Sequence, residues 1–207
     1  MNKDDLFIDL NFNELQLDAI RMIYSKYFEQ EMPTSYSGTA IIAIWKPGAV
    51  WKMGQGPDLH HRNFGITNDF CVHDDLWHEF SNLLPFMSPI ASITKMPANS
   101  VMFPHVDRAI RPHAIYFPIR GCSEQCISEY YNLPKKQTEN SQSIPYFPPS
   151  DFSYSICDNA VLNNVHEWHS VRNNSSMERI VFGWNFKDTT MSFDDCKNIL
   201  QNLNYIR

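Results

Sequence analysis

A mainly β domain with flanking helices, of the sandwich, jelly-roll or barrel kind, is the fold class that this sequence predicts. Three observations predict it. After Pro89 the chain breaks into short β-branched and aromatic runs, and the 13 prolines help to punctuate them. Helical periodicity is confined to two segments before Pro89 and one at the C-terminus. The 207 residues, 43% apolar and 19% charged, suffice for one well-buried core. No repeat or composition shift marks a boundary, so we read one domain over 1–207. It has a helical N-terminal part to about residue 35, a β core over about 38–190 and a C-terminal helix over about 192–204.

Residues 13–30 read as an amphipathic helix capped by Asn13, with Leu17, Ile20, Tyr24, Tyr27 and Phe28 on one face. The apolar run from Gly38 to Trp45 suits a buried strand. Residues 74–87 place Leu76, Trp77, Phe80, Leu83, Leu84 and Met87 at helical spacing. Strands are predicted over 90–96, 101–107, 112–119, 125–131, 152–157, 160–165, 168–172 and 178–187. Ser192 with Asp195 forms a capping-box variant, and Cys196, Ile199, Leu200 and Leu203 make the apolar face of the last helix. The polar, proline-bearing stretch 132–150 is longer than most loops of compact domains. It reads either as a lid, with Tyr146 and Phe147 covering a substrate, or as a disordered surface loop.

The formal charge is −6 with no basic block, so no nucleic-acid or anionic-membrane surface is expected. The start, MNKDDLFIDL, lacks a signal-peptide pattern, and no apolar run approaches the roughly 20 residues of a membrane span. Five cysteines, an odd number without two matching pairs, read as free thiols in a reducing compartment. The expected location is cytoplasmic.

The chemistry-bearing residues are His105, Asp107, a distal histidine and Arg179. His105 and Asp107 alternate along a predicted strand, so both point to one face while Val106 packs behind. The second ligand must come from a distant strand, and His166 and His169 are the candidates. They point to opposite faces of an extended chain, so one of them binds. Two histidines and one carboxylate hold one face of a ferrous ion and leave the other open. In Arg-Ile-Val-Phe-Gly-Trp-Asn-Phe, Ile180, Phe182, Trp184 and Phe186 share one face, and Arg179, Val181 and Gly183 the other. A buried arginine there needs an anionic partner, which a bound dicarboxylate supplies with bidentate geometry. Otherwise Arg179 reaches solvent from a strand end. His60, His61, His73 and His78 read as surface histidines. Trp168 reads as packing or as a wall of the substrate site.

The stretches PHVDRAIRPHAIYFPI and LNNVHEWHSVRNNSSMERIVFGWNF resemble the Fe(II)/2-oxoglutarate-dependent oxygenases. Within them the chain looks most like the aspartyl/asparaginyl β-hydroxylase branch and its small microbial and phage-type relatives. The shared pattern is His-x-Asp, a distal histidine and an arginine about ten positions later. The resemblance implies a double-stranded β-helix, the jelly roll of cupins, with Fe(II) held by His105, Asp107 and His169. It implies that 2-oxoglutarate and O2 are co-substrates, with Arg179 on the far carboxylate, helped by Arg111 or His113. Asp107 argues against halogenation, because related halogenases carry a small residue there. The implied activity is hydroxylation of an aliphatic carbon, with release of succinate and CO2. The implied substrate is an amino acid, a related small metabolite or an amino-acid side chain in a peptide. The alternative is a metal-binding cupin-type isomerase or small-molecule sensor without oxygenase activity, which needs no dicarboxylate clamp.

Overall fold

The computed structural model describes residues 2–27, 40–44, 62–64, 75–107, 113–134 and 142–206. A 3-10 turn at Lys3–Asp5 leads into β1 (Phe7–Asp9) and α1 (Glu14–Tyr27). Then come β2 (Ala40–Ile44), β3 (Arg62–Phe64), α2 (Asp75–Leu83), β4 (Met87–Met96), β5 (Ser100–Val106), β6 (Ala114–Arg120) and β7 (Cys126–Tyr131). The chain continues through β8 (Gln142–Ser143), β9 (Phe152–Ser155), β10 (Val161–Asn163), β11 (Trp168–Asn173), β12 (Arg179–Phe186) and α3 (Phe193–Asn202).

The strands form two sheets. The larger has the order β1-β10-β6-β12-β4-β2-β3 and the smaller β8-β5-β11-β7-β9. Pairing is antiparallel except between β2 and β3. From β4 to β12 the chain passes back and forth between the sheets. Strands β4, β6, β10 and β12 lie in the larger sheet, and β5, β7, β8, β9 and β11 in the smaller.

The core lies between the larger sheet and the helices. Ile180, Phe182, Trp184 and Phe186 of β12 join Ile115 and Phe117 of β6 against Leu17, Ile20 and Tyr24 of α1, Phe80 of α2 and Leu200 of α3. Phe80 anchors the joint, with its ring 5.0 Å from Trp184 and 5.8 Å from Phe117. Burying each such side chain contributes roughly 1.5–3 kcal/mol. This is the β12 face that the sequence alternation predicts. The opposite face of β12, carrying Arg179 and Val181, turns toward the smaller sheet and lines a cavity.

The caps are as local chemistry requires. The Asn13 and Gln16 side chains each accept from the other's backbone N–H, at 2.9 and 3.0 Å. Ser192 and Asp195 close the same box at α3. Residues 28–30 of the first predicted helix lie outside the described residues. The second helix ends at Leu83 rather than 87, and Met87 already opens β4. Pro85 accounts for this, since its ring and missing N–H stop a helix. The edge strands β1, β3 and β8, two or three residues each, were not expected from sequence.

The long stretch after β7 is only partly described, with residues 135–141 outside the described set. Its second half docks on the smaller sheet. β8 pairs with β5, Ser143 opposite His105. Phe147 stacks on Phe103 at 5.1 Å, and the Arg172 guanidinium lies 3.7 Å from its ring centre. Tyr146 is exposed. Trp168 belongs to the same packing, beside Val106 and Tyr131, and its indole N–H donates to the Pro134 carbonyl at 3.2 Å.

Candidate metal centre and its cavity

Two neighbouring strands of the smaller sheet place the histidines. His105 on β5 and His169 on β11 are direct cross-strand partners, and their ring centroids are 4.2 Å apart. One residue further along the chain the β5–β11 register slips, so Val171 pairs with Met102. The extra residue on β5 is a β-bulge, which changes the facing of the strand. As a result Met102 and His105 both line the cavity despite their odd spacing. Asp107 follows the end of β5, and its backbone N–H donates to the Val165 carbonyl at 3.2 Å. This turn brings its Oδ2 to 4.0 Å from His169 Nε2. The ligand atoms of His105, Asp107 and His169 lie within 4.8 Å of one another, a grouping that can hold a metal ion.

The tautomers are set. His105 Nδ1 lies 2.8 Å from the Phe103 carbonyl and His169 Nδ1 2.8 Å from the Glu167 carbonyl. A carbonyl only accepts, so each Nδ1 carries the proton and each neutral ring presents its lone pair at Nε2. Metal-bound histidines are oriented in this way. Both rings are buried, so their geometry is held by the sheet.

Arg179 lines the same cavity from the larger sheet. It is 4% exposed, and its Nε has no hydrogen-bond partner among the described residues. The glycine turn before β7 keeps this end of the cavity close-packed. Gly121 has φ +64°, and a Cβ there would stand 1.9 Å from the Glu178 carbonyl oxygen. Thr94, Ser128, Tyr116 and Tyr154 add hydroxyl groups to the wall, and Asn163 adds an amide. Burial pushes the Tyr154 phenol well above its ordinary range, so it stays protonated and can donate.

His113 is not among the cavity-lining residues. It is buried on the far side of β6, with ring centroids 4.5 Å from His166 and 5.4 Å from Phe193. Desolvation, and secondarily the nearby His166, lowers its pKa to about 4. His166 pairs with this ring and stands outside the ligand group, which contains His169. Arg111, His60, His61 and His73 lie outside the described residues, and the side chain of His78 does too. The cysteines at 122, 126, 157 and 196 are free, and burial raises the Cys122 thiol. Among the described residues no helix is long and apolar enough to cross a membrane.

Sequence reasoning passed over Tyr130, Tyr154, Ser128, Thr94 and Asn163. The alternation of β7 and β9 could have put Ser128 with Tyr130 and Tyr154 on inward faces, but nothing in their identity marks them as site residues.

No family model and no curated protein matches the chain. Among solved structures it is similar to the epimerase SnoN from nogalamycin biosynthesis in complex with Fe3+, alpha ketoglutarate and nogalamycin RO. The TM-score is 0.53 at 10% identity, over 92% of this chain and 85% of that one. A second structure, of SnoN as a non-heme alpha ketoglutarate dependent epimerase, gives 0.51 at 11% identity over 92% and 84%. At such identity the likeness concerns the fold. The chain spans 23% of CapF at a TM-score of 0.32 and 9% identity, with 46% of its own length covered, too slight a likeness to argue from.

Proposed function

We propose that the protein is an Fe(II)- and 2-oxoglutarate-dependent oxygenase built on a double-stranded β-helix. The observation that carries this is Arg179. A guanidinium 4% exposed, with an unpartnered Nε, lines the cavity whose wall also holds two histidines and an aspartate arranged for a metal. A buried cation is costly without an anion, and a dicarboxylate that chelates the metal with its other end supplies one. The repeated exchange of strands between the two sheets supports the β-helix reading. So does the fold likeness to SnoN, whose structure holds Fe3+ and alpha ketoglutarate.

The donor set fits iron. Two neutral imidazoles and one carboxylate suit a non-heme ferrous site with open positions. When bound, iron and 2-oxoglutarate supply an oxidant made from O2, with succinate and CO2 as by-products. The protein's own residues do the rest. His105 and His169 present Nε2 because their Nδ1 protons are tied to backbone carbonyls. Arg179 grips the distal carboxylate, and Thr94 and Ser128 add hydroxyl groups to the wall of the same cavity.

The reaction we assign is hydroxylation of an aliphatic carbon in an amino acid, a related metabolite or a peptide side chain. The sequence resemblance to the aspartyl/asparaginyl β-hydroxylase branch supports that choice. The test is succinate release from 2-oxoglutarate with a panel of amino acids and short peptides, in air with Fe(II). Succinate that requires iron and is absent from Asp107→Ala supports the proposal. Iron binding without succinate from any member of the panel points to a cupin-type isomerase or sensor.

A further inference from the structure

The three candidate ligands do not share one support. His105 is tied by Nδ1 to the Phe103 carbonyl of its own strand. Asp107 and His169 are both tied to the turn 164–167, between β10 and β11. The Val165 carbonyl accepts from the Asp107 N–H at 3.2 Å, and the Glu167 carbonyl from the His169 Nδ1–H at 2.8 Å. A rotation of the turn's peptides would therefore disturb two ligands together. The turn's own closure, from the Glu167 N–H to the Asn164 carbonyl, is long at 3.4 Å and holds it weakly.

Asn164 supplies the missing restraint. It is 9% exposed, and both ends of its side-chain amide are used. Its Oδ1 accepts from the His166 N–H at 3.2 Å, the bond of an Asx turn. The His166 N–H and the Val165 carbonyl belong to one planar peptide and point opposite ways. Holding that N–H on Asn164 thus aims the Val165 carbonyl toward Asp107. The Asn164 Nδ2 donates to the Asp5 carbonyl at 2.8 Å, and its backbone N–H to the Leu6 carbonyl at 2.8 Å. An N–H only donates and a carbonyl only accepts, so these partners leave the amide one orientation. The segment before β1 thereby backs the metal centre.

We propose that Asn164 is a positioning residue of the metal centre, which grips the Asp5–Leu6 backbone and sets the turn whose carbonyls orient Asp107 and His169. The role presupposes the metal reading of His105, Asp107 and His169, and is independent of which co-substrate the cavity takes.

The experiment uses the full chain, with two readouts. One is anaerobic titration with Fe(II) alone at a temperature where each variant is folded. The other is hydrogen exchange at the Asp107 amide in metal-free protein. In Asn164→Ala, Fe(II) affinity should fall by about 10–100-fold. Exchange at Asp107 should quicken by about tenfold or more, while the amides of β11 keep their protection. Phe80→Leu destabilises the core against the helices without touching the turn, and should leave Fe(II) affinity within about twofold of wild type. Asn164→Asp keeps the acceptor for His166 and loses the bond to Asp5, so it decides the matter should Asn164→Ala not fold. It should weaken Fe(II) by about threefold or more and quicken exchange at Asp107. If either readout stays at its wild-type value in the folded variant, the Asn164 role is overturned and the metal reading stands. The role is overturned likewise if Phe80→Leu weakens Fe(II) as much as Asn164→Ala does. Failure of wild type to bind Fe(II) overturns both.

Discussion

His105 and His169 face each other across β5 and β11 as register partners, and each ring is tied by Nδ1 to the carbonyl two residues earlier in its own chain. Strand pairing thus sets their separation, and backbone hydrogen bonds set their tautomer. Replacing either ring should therefore cost metal and spare the fold. His169→Ala should lower Fe(II) affinity by more than the about 10–100-fold that loss of an outer partner costs. Calorimetry and a thermal melt check this, with the Tm expected to change little.

The buried His113 gives the stability a definite pH dependence. Its folded pKa of about 4 lies below the ordinary 6.5, so the unfolded chain binds more protons between those values. The neutral ring is therefore stabilising above about 6.5, and that advantage is lost as pH falls toward 4. Urea titrations at pH 7 and pH 4.5 should differ by on the order of 2 kcal/mol from this group. His113→Gln should flatten the difference. Equal slopes for variant and wild type would contradict the assignment.

Gly121 should tolerate no side chain. With φ at +64° and the Glu178 carbonyl in the space of a Cβ, Gly121→Ala must shift the start of β12. The expected loss is at least about 2 kcal/mol, read by urea unfolding. Because Arg179 follows Glu178, the affinity for 2-oxoglutarate should fall with it.

Phe147 should hold the end of the long stretch in place. It is clasped between Phe103 and the Arg172 guanidinium, which Glu129 fixes at 2.6 Å. Phe147→Ala should increase hydrogen exchange over 142–147, including the β8 pairing behind His105. Unchanged protection would show that the segment is held elsewhere.

The parts legible in the sequence are those governed by a period. The alternation of β12 showed which side packs on the helices and which carries Arg179, because a strand buried on both faces still has to sort its side chains. His-x-Asp with a distal histidine was legible as a motif, although Asp107 lies beyond the end of β5 and is placed by the turn that ties it to Val165 rather than by strand alternation. Three things were not. The bulge that brings Met102 and His105 to one face breaks the period that sequence reading relies on. Strand β1 is three residues long and offers no pattern. The Tyr130–Asn163 bond joins positions 33 apart through a contact between sheets, and neither residue type announces it. The second helix was read too long because apolar spacing continued past Pro85, where backbone chemistry had already ended it.

The most direct test of the central claim is anaerobic titration of the Fe(II)-loaded protein with 2-oxoglutarate, followed by the visible charge-transfer band of the chelate. Wild type should give a saturable band. Arg179→Met should need about 100-fold or more 2-oxoglutarate, because the distal carboxylate would be buried without its partner. The same variant should melt no lower than wild type in the absence of ligand, since it removes a buried guanidinium whose Nε has no hydrogen-bond partner among the described residues. Absence of a band with iron demonstrably bound, or an Arg179→Met variant that saturates like wild type, would contradict the account.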